Sequence, residues 1–183
     1  MEFIMNLSLE NIRVGNLILR EPIEDDAYDL FQFANEKMCK TLNWGPLKSI
    51  YEAKYMIESY INRPVVEKIP TGYSIVYDDC MIGFIEFHNY NKNKKQVEIG
   101  CYLDPLYWNM GIMYRCLKVC IEDLFLNQDI EKIIMGHTID NLRCKNLILK
   151  LGFKYEYEKI VKMSECMEKI GYYYSMYKYE RNE

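Results

Sequence analysis

The segment 96–113 has the side chains and the spacing that most directly suggest chemistry. It reads QVEIGCYLDPLYWNMGIM, in which an apolar run stops at Asp-Pro, crosses an aromatic loop and enters a helix through a glycine. Such a turn directs backbone N–H groups and the positive end of a helix dipole at one point. Because that point suits an anion such as phosphate or pyrophosphate, we place the functional site beside this turn.

The turn belongs to neither of the two best-known phosphate-binding motifs. The chain has no Gly-x-x-x-x-Gly-Lys-[Ser/Thr] and no Gly-x-Gly-x-x-Gly. It is therefore predicted to be neither a P-loop protein nor a dinucleotide-binding protein. The anion would instead be held by the backbone of residues 108–113, between a strand and a helix.

The seven cysteines indicate a reducing compartment rather than a disulfide framework. Their number is odd, they form no Cys-x-x-Cys, and only two histidines are present to complete a zinc site. Cys116 and Cys120 lie four residues apart on a predicted helix and could form half of a metal site, but packing on a buried face is the favoured interpretation. We therefore expect no metal and a cytoplasmic location.

Hydrophobic periodicity predicts the elements that position these residues. Strands are predicted at 16–20, 71–77, 81–87, 96–103, 130–138, 153–161 and 172–179, and helices begin near 24, 49, 113 and 140. The order β-α-α-β-β-β-α-β-α-β-β predicts a single α/β domain over 1–183, with an α+β mixed sheet and a core at about 15–180. One strand–helix–strand crossover, from 96–103 to 130–138, requires a parallel pair, whereas the flanking hairpins require antiparallel pairs.

Charge and hydropathy limit the partners of the chain. Half of its 183 residues are hydrophobic and its formal charge is −4. This mild acidity argues against a general affinity for nucleic acid or anionic lipid and suits a cationic partner. No apolar run approaches the length of about 18 residues that a membrane span needs, and the first residues, MEFIMN, lack the features of an export signal. We expect a soluble enzyme that is a monomer or a homodimer.

Together these motifs resemble the GCN5-related N-acetyltransferase (GNAT) superfamily and, within it, the RimJ/RimL-like branch. The resemblance covers Leu17 to the C-terminus. The matching motifs are LILR at 17–20, IGF at 82–84, EIG at 98–100, DPLYWNMGIM at 104–113, Asn141 and KLGF at 150–153. The predicted element order also fits this fold, in which the central strands splay apart. The resemblance implies that acetyl-CoA is the co-substrate and that its acetyl group moves to a primary amine.

The resemblance further implies where CoA binds. Helix-end amides of the turn would hold the pyrophosphate, and the end of the central strand would pair with the pantetheine arm while one N–H stabilises the oxyanion. Asn141 matches a position that contacts the CoA arm, although it could equally cap its helix. Tyr107 and Trp108 are expected to pack in the loop. The predicted cofactor-binding residues are Cys101, Tyr102, Leu103, Asn109, Met110, Gly111, Ile112, Met113, Tyr114 and Asn141.

Glu98 and Cys144 are the predicted catalytic residues. An attacking amine must lose a proton, which a carboxylate such as Glu98 can accept, unless Glu98 faces a basic neighbour or solvent. The leaving thiolate must gain a proton, and Ile148 stands where many members of the family have a tyrosine donor. Cys144 stands where the RimL-like branch tends to have serine. It could donate if the first helical turn keeps its pKa comparable to that of the leaving thiol, or it could simply pack beside pantetheine.

Other titratable residues are secondary candidates. Tyr102 and Tyr173 could replace the missing tyrosine donor. His88 and His137 could accept a proton near neutral pH, although a single histidine at a strand end more often has a structural role.

The acceptor is expected to be the α-amino group of a protein or peptide, as the RimJ/RimL resemblance implies. The alternative acceptor is a small amine such as an aminoglycoside, a polyamine or an amino acid. An acidic pocket formed by Glu24, Asp25, Glu52 and Glu58 would favour a polycation. A non-catalytic CoA-binding module is the alternative of a different class, since the usual tyrosine donor is missing.

Overall fold

The computed structural model describes residues 11–67, 71–164 and 167–179. The strands in this part of the chain are β1 (Ile12–Val14), β2 (Leu17–Arg20), β3 (Gly72–Tyr77), β4 (Cys80–Asn91), β5 (Gln96–Leu103), β6 (Lys132–Thr138), β7 (Lys154–Ser164) and β8 (Met167–Tyr177). The helices are α1 (Asp26–Phe33), α2 (Glu36–Cys39), α3 (Ile50–Glu67), α4 (Ile112–Asn127) and α5 (Leu142–Lys150). The N-terminal MEFIMN segment and Cys166 lie outside the described residues.

The predicted α/β order is confirmed, with a short strand, a short helix and a 3₁₀ turn at Pro105–Tyr107 as additions. β1 forms a hairpin with β2 through Gly15, whose φ of +65° allows the tight reversal. α2 is a single turn capped by Asn35, whose side chain accepts a hydrogen bond from the Met38 amide. A strand of three residues and a helix of four are too short to show a repeating pattern in the sequence.

One mixed sheet contains all eight strands, in the order β1-β2-β3-β4-β5-β6-β8-β7. The pair β5–β6 is parallel, as the crossover through α4 predicts, and its neighbours are antiparallel. The β5–β6 ladder runs from Gln96↔Lys132 to Ile99↔Met135. Beyond it, β5 continues to Leu103 along β4, whereas β6 continues to Thr138 along β8. The two central strands therefore diverge, as the resemblance implies.

The two faces of the sheet bury separate cores because successive side chains point to opposite faces. Phe84 and Tyr102 face α1 and α3 and pack with residues such as Leu30. Ile85 and Ile99 face α4 and α5 and belong to the larger core, which also contains Cys116, Leu117, Cys120 and Ile148. Cys116 and Cys120 thus pack in the apolar core, as the favoured interpretation predicts.

An ion pair holds α1 against the sheet. The Arg20 guanidinium donates to both carboxylate oxygens of Asp26, at 2.9 and 2.6 Å. Asp26 is buried and also accepts a hydrogen bond from the Ser74 hydroxyl at 2.7 Å. Because the carboxylate has partners on β2 and β3, its burial is compensated and the start of α1 is fixed.

None of the helices in the described ranges is long and apolar enough to cross a membrane. The six cysteines in those ranges are all free thiols. The cytoplasmic location stays a prediction.

Gly72→Ala tests the close contact between β3 and β4. Gly72 has a φ of +145°, and an added Cβ would collide with the Ile85 carbonyl group. Because neither backbone can yield without breaking the ladder, we expect the free energy of unfolding to fall by about 3 kcal/mol or more. Urea denaturation measures this change. Gly45→Ala is the control, since an added Cβ there meets no atom within 4 Å, and an equal loss in both variants would contradict the explanation.

Candidate functional site

A cleft of about 340 Å³ opens where β5 leaves β6. Its walls come from the end of β5, the turn into α4, the inner side of α5, and Met38, Thr41 and Leu42 at α2. All but one of the predicted cofactor-binding residues line it, namely Cys101, Tyr102, Leu103, Asn109, Gly111, Ile112, Met113, Tyr114 and Asn141. The exception is Met110, whose side chain is exposed and is not part of the lining.

The turn into α4 has the backbone geometry of an anion site. Asn109 and Gly111 both have left-handed φ angles, +64° and +70°. The first intrahelical bond of α4 runs from the Arg115 amide to the Gly111 carbonyl, so the preceding amides have no partner within the helix. An added Cβ on Gly111 would meet no atom within 4 Å. The space above the turn is therefore open to a ligand.

Trp108 connects the end of β5 to α5. Its indole N–H donates to the Leu103 carbonyl at 2.8 Å, and the Arg143 guanidinium stacks on the indole ring at 3.6 Å. Tyr107 and Trp108 are partly buried against the core, so their predicted packing role is confirmed, although both also line the cleft. The indole thus links the end of β5 to the start of α5.

Two cations in the cleft were missed by the sequence reasoning. Arg143 and Lys150 both line it, and the Lys150 ammonium lies 4.6 Å from the Tyr114 ring centroid. They are seven residues apart on α5, a spacing of two helical turns that puts them on one face. That spacing was the available signal. With the start of α4, these cations make the cleft suited to an anionic ligand.

Asn141 caps α5, because its side-chain oxygen accepts a hydrogen bond from the Cys144 amide at 3.2 Å. The capping interpretation is thus confirmed. Asn141 also lines the cleft, so its contact with the CoA arm stays a prediction.

Cys144 lines the cleft, but the expected pKa of its thiol is wrong. The thiol donates a weak hydrogen bond to the Gly136 carbonyl at 3.6 Å. Burial raises the pKa of Cys144 to about 12, because loss of water outweighs any effect of the helix start. Burial also raises the pKa of the neighbouring Cys101, to which Cys144 adds a smaller contribution. Both thiols are therefore protonated near neutral pH.

Glu98 lies on the face of the sheet that α3 covers, directly opposite His88 on β4. Its carboxylate is half-buried and accepts a hydrogen bond from the Asn89 side-chain amide at 2.8 Å. Glu98 sits within the paired part of β5, opposite Ile134 of β6. The structure thus gives Glu98 a polar neighbourhood near the divergence, and its role as a base stays a prediction.

The secondary candidates occupy different environments. Tyr102 forms part of the cleft wall, and burial raises the pKa of its hydroxyl strongly. Burial, with a smaller contribution from Glu98, raises the pKa of Tyr173 to about 12. His137 is buried, with its Nδ1 2.8 Å from the Thr138 carbonyl oxygen and its ring stacked on Tyr174. His137 is thus part of the packing, whereas His88 is half-buried beside Gly100.

The predicted acidic pocket forms only in part. Glu24, Asp25 and Glu58 surround a hollow of about 320 Å³ between α1 and α3. Glu52 lies elsewhere, accepting a hydrogen bond from the Lys48 amide. The hollow shares no lining residue with the cleft, and Lys54 in its wall offsets part of its charge. It is therefore not a wall of the site.

Alkylation by iodoacetamide tests the pKa of Cys144. Cys80 is exposed, whereas a thiol with a pKa of about 12 is only ~0.01% thiolate at pH 8. We expect Cys144 to react at least about 100-fold more slowly than Cys80, measured by peptide mass spectrometry. In urea the two rates should become similar. Equal rates in the native protein would contradict the buried, protonated thiol.

Comparison with known proteins agrees with this geometry. The sequence profile of the Acetyltransferase (GNAT) domain matches residues 16–154. A Bacillus subtilis (strain 168) relative, "Uncharacterized N-acetyltransferase YoaA", is 26% identical over 148 residues, which are 79% of this chain and 83% of that protein.

Among solved structures, RimL, a ribosomal L7/L12 alpha-N-protein acetyltransferase, superposes with a TM-score of 0.77 at 21% identity, covering 92% of this chain and 94% of RimL. MccE, a microcin C7 self-immunity acetyltransferase solved with acetyl-CoA and AMP, superposes with a TM-score of 0.79 at 20% identity, covering 93% and 99%. At these identities the structures establish a shared fold. The domain match extends over most of the sequence, and the chain therefore belongs to the GNAT family of N-acetyltransferases.

Proposed function

We propose that this chain transfers the acetyl group of acetyl-CoA directly to the N-terminal α-amine of a protein or peptide, with both substrates bound together. The observation that carries the proposal is that the left-handed turn at α4 and the diverging end of β5 border the same cleft. The turn suits a phosphate, and the diverging strand end suits an extended arm. CoA contains both groups, joined in one molecule.

The cleft residues fit the charged part of CoA. The first amides of α4 and the open space above Gly111 suit the pyrophosphate. Arg143 and Lys150 add two cations that can pair with phosphate oxygens. Bound acetyl-CoA would supply an activated thioester.

The diverging end of β5 fits the pantetheine arm. From Gly100 to Leu103 this strand pairs with β4 on one edge and has left β6 on the other. Trp108 already holds the Leu103 carbonyl, so the open edge is centred on Cys101 and Tyr102. An extended amide-containing arm can add there as a strand does. A backbone N–H at this edge would stabilise the oxyanion of the thioester carbonyl.

The acceptor would approach from the other face of the sheet. Two half-buried carboxylates, Glu86 and Glu98, lie on that face near the divergence, and negative charge attracts an ammonium group. The RimL neighbour acts on the α-amine of a ribosomal protein, as its name states, which supports a protein or peptide acceptor here. MccE supports the alternative acceptor, since the same fold occurs in a self-immunity acetyltransferase for microcin C7. A small amine is therefore the second candidate.

We assign Cys144 to packing rather than to proton donation. With a pKa of about 12, it is a weaker acid than a free thiol, whose pKa is about 8.5. Transfer of its proton to the CoA thiolate would therefore be uphill. The nitrogen must lose a proton when the N–C bond forms and the C–S bond breaks. This proton can protonate the departing thiolate, so no thiol donor is needed.

Gly111→Ala tests the role of the turn. Alanine adds a side chain in the open space and strains a left-handed residue by about 1–2 kcal/mol. We expect the Kd of acetyl-CoA, measured by calorimetry, to rise about tenfold or more. Gly15→Ala is the matched control because Gly15 has a similar φ of +65° and lies in the β1–β2 turn. If both variants bind alike, or if the native protein binds no acetyl-CoA at millimolar ligand, the proposed cleft is wrong.

An amine panel tests the acceptor. We expect thiol release from acetyl-CoA with short peptides that have a free N-terminus, and at most about a tenth of that rate with N-terminally blocked peptides, aminoglycosides or polyamines. Thiol release is measured colorimetrically and the acetylated product by mass spectrometry. Preference for a small amine would favour the second candidate. Binding of acetyl-CoA without transfer to any amine would support the non-catalytic module.

A further inference from the structure

Four neighbouring positions on β4 and β5 form a square beside the divergence. Glu86 is directly opposite Gly100, and His88 is directly opposite Glu98. Because alternate residues of a strand point to the same face, all four positions share the face that α3 covers. Three positions have titratable side chains, whereas the fourth has no side chain at all.

The missing side chain leaves a space, here called the Gly100 hole. A Cβ built on Gly100 would lie 3.4 Å from His88 Nε2 and 3.7 Å from Glu86 Oε2. The imidazole and the carboxylate therefore border the same small volume. Glu86, His88, Glu98 and Gly100 are all half-buried, so the volume is accessible from outside.

The two carboxylates beside the hole are held in place. Arg63 on α3 donates to Glu86 Oε1 at 2.7 Å, which leaves Oε2 on the side of Gly100. The Asn89 amide donates to Glu98 Oε2 at 2.8 Å. Each carboxylate is thus oriented by one partner, an arrangement that can present a fixed negative charge to a cation.

The Gly100 hole also lies beside the point where β5 and β6 diverge. The β5–β6 ladder ends at Ile99, one residue before Gly100, and the cleft lining begins at Cys101, one residue after it. A group above Gly100 is therefore next to the strand end proposed to hold the thioester. Glu98 is one position further back, within the paired ladder.

We propose that the acceptor ammonium binds in the Gly100 hole between Glu86 and His88, and that His88 accepts its proton. This inference rests on the proposed function, since it names the acceptor subsite of the same reaction. One N–H bond of the ammonium breaks, its electron pair remains on nitrogen, and the proton joins the lone pair of the imidazole. The neutral amine can then attack the thioester carbonyl. His88 is the proton acceptor, and Glu98 balances its positive charge.

The imidazole of His88 has charged neighbours of both signs. The carboxylates are Glu86, beside the imidazole, and Glu98, opposite it, and the cation is the Arg63 guanidinium on α3. Burial and, to a smaller extent, Glu86 raise the pKa of two hydroxyls, those of Tyr60 on α3 and Tyr102 on β5. The residue of β3 that pairs with Glu86 is Gly72, which has no side chain.

His88→Gln tests the proton acceptor. The readout is kcat/KM for acetyl transfer to a short peptide with a free N-terminus, measured as a function of pH. We expect a decrease of about 100-fold or more near neutral pH, and a recovery at high pH in step with the free-amine fraction. His137→Gln is the matched control because His137 is buried on the opposite face, and it should lower stability while keeping the shape of the profile.

Gly100→Ala tests the hole itself. The new methyl group would make contacts of 3.4 and 3.7 Å, which are ordinary van der Waals distances, so the fold should persist. We expect the KM of the peptide to rise about tenfold or more, while the Kd of acetyl-CoA changes less than about twofold. Gly45→Ala, in an open loop, should change neither. A normal KM in Gly100→Ala would overturn the assigned subsite.

An NMR titration separates this inference from the proposed function. The chain has two histidines, so His88→Gln assigns the imidazole signals without ambiguity. Ethylammonium should shift the His88 signals of the native protein and leave those of Gly100→Ala in place. No shift, or unchanged pH profiles in His88→Gln together with a large loss in Glu98→Gln, would overturn the inference. Failure to bind acetyl-CoA would overturn the proposed function and leave the ethylammonium result standing.

Discussion

The early end of the β5–β6 ladder is the constraint on which the site depends. Parallel pairing stops at Ile99 and Met135, although both strands continue. A buried backbone amide or carbonyl without a partner is costly, and here β4 and β8 supply partners on the outer edges only. The inner edges border a gap. This gap is the cleft, and an extended ligand can complete the interrupted ladder.

The sheet also separates two kinds of charge. The cleft beside α4 and α5 presents helix-end amides with Arg143 and Lys150. The square on the other face presents Glu86 and Glu98. Under the proposed function, an anionic co-substrate and a cationic acceptor would be directed to opposite sides of one strand, β5. The two reactants would meet at Gly100, which has no side chain to separate them.

Several features could be predicted from the sequence because they depend on neighbouring residues. The strand–turn–helix order and the Asn141 cap both follow from local preferences. β1 and α2 could not, since each spans fewer than two periods of its own pattern and so shows no repeat. The pKa of Cys144 was misjudged because position in a helix is visible in the sequence, whereas burial is not.

The sequence by itself determined the fold family, the turn that suits a phosphate and the residues of the diverging strand. Those features depend on contiguous motifs, and the helix and strand periods of the hydrophobic residues predict the elements around them. Only the tertiary structure decided which side chains meet. The square of Glu86, His88, Glu98 and Gly100 depends on the register of β4 against β5, and a shift of one residue would turn every side chain to the other face. Register is set by the packing of the whole sheet, which no local motif encodes.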